Sequence, residues 1–278
     1  MFTIANNITT RSRSVADALR PRIAESFSER VSVRVKDTRV ECLQGLASRC
    51  LEAGADALEI NLQQRFDSPE TMRFAVESVQ DAVDAQLCLS AHNPLTLEAG
   101  LRACKRPPIL NYLSLDVERL QEILPLASRY DAELIVLIAD PLAPSDVNDI
   151  LKTTAVLVGA ANNAGIPNER IIVDPGVVHI TSDIGPRWVS TILELLPALS
   201  GAVDPPVRTT CWINNISAGI PARLRPFLNS VFLSMLAGAG LSSAFVDALN
   251  RSTMRAVRAI KVLRNQVIYS DREIEGQS

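Results

Sequence analysis

The stretch VECLQGLASRCLEAGADALEINL, residues 40–62, decides the architecture. Its first part spaces apolar residues along one helix face and ends around Gly54, a residue type at which helices commonly stop. Its second part, DALEINL (56–62), is a short apolar run of strand length. Another helical pattern, MRFAVESVQDAVD (72–84), follows. A buried strand between amphipathic helices is the repeating unit of a parallel sheet with helical crossovers.

The same alternation continues in both directions. Strand-like runs occur at FTIAN (2–6), QLCLS (86–90), PILNY (108–112), ELIVLIA (133–139), RIIVD (170–174), TTCWINN (209–215) and SAFVDA (243–248). Helical patterns separate them, such as LTLEAGLRACK, VERLQEILPLASRY, ILKTTAVLVGAANNAG and WVSTILELLPAL. Eight such units predict an α/β protein, a (β/α)8 TIM barrel, formed as a single domain over residues 1–270. The polar tail 271–278 is expected to fray. An open doubly wound sheet is the competing architecture, but no G-x-G-x-x-G or P-loop pattern follows the first strand.

Composition narrows the function classes. A net charge of −3 and the lack of a polybasic run point away from nucleic acid and membrane surfaces. The opening MFTIANNITTRSRS lacks the apolar core of a secretory signal, so the expected setting is cytoplasmic. The apolar run 231–249 contains Gly238, Gly240 and several serines, and reads as a buried helix leading into a buried strand. Cysteines 42, 50, 88, 104 and 211 form no C-x-x-C pair, and the two histidines do not complete a metal-binding spacing. Free thiols and no metal in this chain are the expectation.

Barrel enzymes of this kind carry their sites at the carboxyl ends of the strands. The polar residues there are Asn6, Asn7, Glu59, Asn61, Ser90, His92, Asn93, Asn111, Asp140, Asp174, Asn214, Asn215 and Asp247. Amides outnumber acids. An amide both donates and accepts without carrying charge, which suits a flat heterocycle with alternating donors and acceptors. No nucleophile elbow or paired-carboxylate motif is present. Taken singly, each residue also fits a turn or a helix cap, as Asn93 before Pro94 does. The loop histidines His92 and His179 read as bystanders, and Arg251, Arg255, Arg258, Lys261 and Arg264 as the solvated face of the last helix. Strand alternation across CWINN points Cys211, Ile213 and Asn215 into the barrel, and Trp212 and Asn214 toward the helices.

Seven fragments in order carry a resemblance: EAGADALEINL (52–62), QLCLSAHNPLTLEAGLRACK (86–105), ILNYLS (109–114), IIVDP (171–175), NNIS (214–217), FLSMLAGAGL (232–241) and NQVIYSD (265–271). Across almost its whole length the chain resembles the pterin-binding methyltransferase family. That family includes the methyltetrahydrofolate:corrinoid/iron–sulfur protein methyltransferases and the folate module of cobalamin-dependent methionine synthase, with dihydropteroate synthase more distant.

The resemblance implies methyl transfer between N5-methyltetrahydrofolate, as substrate, and the Co(I) of a corrinoid (cobalamin) on a separate partner protein, by a homodimeric enzyme of one-carbon metabolism. By position it makes Asn111 and Asp174 pterin contacts, and Asn215 the catalytic amide at N5. Asn61, Ser90, Asn6 and Asn214 complete the substrate-binding set. Ser90 stands where the family carries an aspartate, and Asn6 where it carries a glutamate. Trp212 replaces a small residue, and Ala218 a polar one. Arg223 and Arg225 are candidates for the partner surface. VDPGV (173–177) echoes dihydropteroate synthase, so a pterin-condensing enzyme, or a paralogue or binding module for another one-carbon donor, stays open as an alternative.

Overall fold

The computed structural model describes residues 1–20, 38–138 and 146–276; Asp140 lies outside them. Eight strands form one sheet: β1 (Phe2–Thr9), β2 (Ala57–Asn61), β3 (Gln86–Ser90), β4 (Ile109–Leu113), β5 (Glu133–Leu137), β6 (Ile171–Asp174), β7 (Arg208–Thr209) and β8 (Ser243–Val246). Their order is β7-β6-β5-β4-β3-β2-β1-β8, with every pair parallel. The two ends meet. A parallel bridge joins Trp212 to Phe245, and the Phe245 N–H donates to the Cys211 carbonyl at 2.9 Å. Ser242 and Thr209 exchange further bonds, with the Thr209 N–H 2.8 Å from Ser242 Oγ and the Ser242 N–H 3.0 Å from Thr209 Oγ1. The sheet closes into the expected barrel.

Helices lie outside it: α1 (Arg13–Leu19), α2 (Thr38–Glu52), α3 (Pro69–Gln80), α4 (Pro94–Ala103), α5 (Val117–Arg129), α6 (Val147–Asn163), α7 (Gly185–Leu199), α8 (Arg225–Gly238), α9 (Arg251–Leu263) and α10 (Asp271–Glu275). Ser68, Asn93, Asp116 and Asp146 start α3 to α6 by accepting from backbone N–H groups of the first turn. Asn93 is thus a cap. No helix among the described residues is long and apolar enough to cross a membrane; the run at 231–249 divides into the end of α8, β8 and their loops.

The apolar core has two parts. The larger lies between sheet and helices. The smaller fills the barrel: Ile4, Ala57, Cys88, Ile109, Ile135, Ile172 and Phe245. This inner plug puts any ligand space above it, at the strands' carboxyl ends.

Three readings of the sequence need correction. Trp212 faces into the barrel, where it stacks on Phe245 with ring centroids 4.5 Å apart, while Cys211 and Ile213 join the outer core. The pairing of Arg208 with Ile172, an inner-plug residue, sets this parity. Beyond Trp212 the chain leaves the strand and winds into a 3-10 turn, Ile213–Ser217, so period-two alternation no longer applies to the asparagines. Second, the tail forms α10, capped by Ser270 and held by Arg258, which donates to the carbonyls of Ile274 and Glu275. Third, the basic stripe of α9 is only partly solvated. Lys261 pairs with Asp56, and Arg264 donates to the carbonyls of Leu241 and Ala237.

Phe245 is fully buried at the closing seam. Phe245→Ala should cost about 3–5 kcal/mol in urea unfolding. A loss under about 1 kcal/mol would show that the seam does not depend on this ring.

Candidate active site

Register assembles the polar layer above the plug. Asn61 pairs with Ser90, and Ser90 with Asn111, so three inward side chains stand in one row across β2, β3 and β4. Glu59 lies one inward step below Asn61 and is wholly buried. Its Oε1 accepts from Ser90 Oγ at 2.5 Å and from Asn61 Nδ2 at 3.0 Å, with Asn111 Nδ2 at 3.5 Å. Asn111 Nδ2 donates to Ser90 Oγ at 2.9 Å.

A cavity of about 260 Å³ opens above this row. Asn61, Asn111, Asp174 and Asn215 line it, together with Arg11, Gln63 and Tyr112, while Leu137, Val177 and Trp212 supply apolar wall. The other three predicted site residues do not line it. Ser90 sits below, fully buried. Asn6 and Asn214 are tied to each other and to α8: Asn214 Nδ2 donates to Asn6 Oδ1 at 3.4 Å, and Asn229 Nδ2 donates to Asn214 Oδ1 at 3.1 Å. His92 and His179 are outside the lining too.

Asp174 and Asn215 differ in how they are held. One carboxylate oxygen of Asp174 accepts from the Gly176 N–H at 2.8 Å, where positive φ lets the loop turn. Burial pushes the Asp174 carboxyl up to about 7, and this backbone bond offsets only part of that. Burial likewise raises Glu59 to about 7 against its hydrogen bonds from Ser90, Asn61 and Asn111. Asn215 closes its turn with backbone alone, its N–H donating to Trp212 and its carbonyl accepting from Ala218. Its side-chain amide has no hydrogen-bond partner among the described residues, on a residue that lines the cavity. Burial raises the thiols of Cys88 and Cys211 far above their ordinary range, which leaves them inert packing groups.

The cavity brings together apolar wall, the acceptor oxygens of Asn111 and Asp174, and the amide of Asn215. Arg11, Gln63, Tyr112 and Trp212 escaped the sequence reading. Arg11 and Gln63 follow strands into loops, where parity is lost, and Trp212 reads as core. Among the described residues, no group of three or more His, Cys, Asp or Glu is placed to hold a metal ion.

Comparison with known proteins identifies the family and agrees with the fold. The pattern of the CO dehydrogenase/acetyl-CoA synthase delta subunit family matches residues 7–188, well over half the chain. The chain belongs to that family. It stands among the pterin-binding methyltransferases that its strand-end residues resemble. A methylcorrinoid:tetrahydrofolate methyltransferase of Eubacterium limosum is 25% identical over 248 residues, 87% of this chain and 86% of that protein. Dihydropteroate synthase of Xanthomonas albilineans, solved with 7,8-dihydropteroate, superposes with a TM-score of 0.66 at 16% identity, covering 97% of this chain and 95% of the other. The Yersinia pestis enzyme, solved with a pterine-sulfa conjugate, gives 0.64 at 13% identity, covering 95% and 94%. At such identities the two synthases speak for the fold alone. The family match spans Asn61, Asn111 and Asp174 but stops short of Asn215.

The raised carboxyl of Asp174 makes a signed prediction. Its folded value, about 7, lies above the ordinary 3.8, so the folded state holds more protons between those limits. The stability tied to this proton is present below the ordinary value and lost as pH rises through about 7. Asp174→Asn should therefore gain stability relative to wild type on going from pH 5 to pH 8, by at least about 1 kcal/mol in urea unfolding. An equal difference at both pH values would contradict the shift.

Proposed function

We propose that this protein transfers a methyl group between N5 of a tetrahydrofolate and the cobalt of a corrinoid carried by a separate protein. The observation that carries the reading is the Asn215 amide, without a hydrogen-bond partner among the described residues, in the cavity that Asn61, Asn111 and Asp174 also line. The activity named for the Eubacterium limosum relative supports it.

The residues fit a pterin ring. Trp212, Leu137 and Val177 supply apolar surface for its faces, and the free oxygens of Asp174 and Asn111 accept from its N–H edge. A charged Asp174 makes the stronger and more directional of these bonds. Asn215 acts on the reaction itself. As the N5–methyl bond breaks, electron density collects on N5, and an amide N–H donated there stabilises the transition state more than the ground state. The methyl leaves as a cation equivalent, the two electrons of its new bond come from the corrinoid's Co(I), and N5 gains a proton from water. Run in reverse, the same contacts serve transfer onto tetrahydrofolate, the direction the relative's name gives.

The setting follows. A cytoplasmic location fits five free thiols. A homodimer fits α8, whose Phe227, Val231 and Met235 stand one turn apart and are 72%, 39% and 45% exposed. From Pro226 to the end of α8 no charged residue interrupts this stripe. Two copies related by a two-fold axis bury such a neutral stripe on itself. Phe227→Glu should yield monomers in sedimentation; a chain already monomeric in the parent would refute the dimer.

The activity is tested with methyltetrahydrofolate and free cob(I)alamin, followed by the corrinoid spectrum. Asn215→Ala should lower the transfer rate about 10²–10³-fold while weakening folate binding far less. Asn111→Ala and Asp174→Ala should each weaken binding in calorimetry by about tenfold or more. Parental rates in the first variant, or parental affinity in the other two, would remove those residues from the site.

A further inference from the structure

The function just proposed does not use Glu59, yet the barrel accommodates a fully buried carboxyl there. Its Oε2 has no hydrogen-bond partner among the described residues. An apolar side chain at this position would extend the inner plug and avoid the cost of burying a poorly satisfied acid. What an apolar residue would not do is dictate direction. Whether the carboxyl is charged or carries its proton on Oε2, Oε1 accepts, so the groups facing it all turn donors toward it. Asn61 meets it with Nδ2 at 3.0 Å. Ser90 has a single hydroxyl proton and gives it to Oε1 at 2.5 Å. The Ser90 oxygen can then only accept from its neighbour, and Asn111 Nδ2 donates to it at 2.9 Å. Asn111 Oδ1 is thereby left without a hydrogen bond among the described residues, on a side chain that lines the cavity. Asn61 is pinned from the other side as well, its Oδ1 accepting from the Gln63 N–H at 3.1 Å.

We propose that Glu59 is a positioning residue. Directly for Asn61, and for Asn111 through Ser90 and a long direct contact of 3.5 Å, it fixes the amide orientations so that the cavity wall presents the Asn111 carbonyl oxygen to a ring N–H of the substrate. The substrate part rests on the pterin reading above. Ser90 contributes as a relay: a hydroxyl that hands on the direction set one strand away. Loss of the acceptor frees Asn111 to rotate, and the wall then offers a mixture of donor and acceptor.

Three variants test this: Glu59→Leu, Glu59→Gln and Ser90→Ala. Each is titrated with tetrahydrofolate in a calorimeter, and the hydrogen exchange of the Asn111 side-chain amide is followed by NMR without ligand. Glu59→Gln keeps the acceptor oxygen and should bind within about threefold of wild type. Glu59→Leu and Ser90→Ala remove the acceptor or the relay and should bind about 10- to 100-fold more weakly, with faster Asn111 amide exchange. Parental affinity and exchange in Glu59→Leu and Ser90→Ala would overturn the proposal. So would an equal loss in Glu59→Gln, which would mean that charge rather than orientation matters. Should Glu59→Leu fail to fold, Ser90→Ala decides on its own. If wild type binds no tetrahydrofolate, the pterin reading fails, and amide exchange still reports whether Glu59 holds Asn111.

Discussion

Eight parallel strands closed in register force every second side chain into a narrow interior, and that interior has to be filled and satisfied. Ile4, Cys88, Ile109, Ile135, Ile172 and Phe245 fill it. Glu59 makes satisfaction a constraint on everything above. A carboxyl in the barrel needs donors, and the register of β2, β3 and β4 supplies them from one row: Asn61, Ser90 and Asn111. The polar floor of the cavity is thus the way the fold stabilises its own buried acid.

The opposite wall works by different means. Asp174 reaches its position at the end of β6, where a left-handed Gly176 turns the chain back and ties down one carboxylate oxygen. Asn215 arrives on a 3-10 turn closed by backbone bonds, and its side chain makes no hydrogen bond among the described residues. The proposed reaction divides recognition from chemistry along the same line. In it the floor and Asp174 seat the ring, and a side chain free to adjust meets the atom whose charge changes. That division accounts for the expectation that Asn215 affects rate while Asn111 and Asp174 affect affinity.

Much of this was legible from residue order. Short apolar runs between amphipathic segments gave all eight strands, because a parallel barrel buries strands on both faces and helices on one. Asn61, Asn111, Asp174 and Asn215 were recognisable as polar residues ending apolar runs, where burial alone would not place them. Two things were hidden. Trp212 reverses the parity expected of CWINN, since the direction of a strand is set by its neighbour's register, and Ile172 to Arg208 pairing is not written locally. The role of Ser90 was also hidden. Against an aspartate it reads as a lost charge, whereas its 2.5 Å bond to Glu59 shows a neighbouring carboxyl serving the same row. Sequence spacing does not reveal contacts between side chains on adjacent strands.

The central claim is that the slot above Glu59 seats a pterin with N5 beside Asn215. A crystal structure with bound 5-methyltetrahydrofolate tests it most directly. The account predicts the ring between Trp212 and the floor, its N–H edge on Asn111 and Asp174, and N5 within hydrogen-bond reach of the Asn215 amide. A ring bound with N5 turned away from Asn215, or bound outside this cavity, would contradict it.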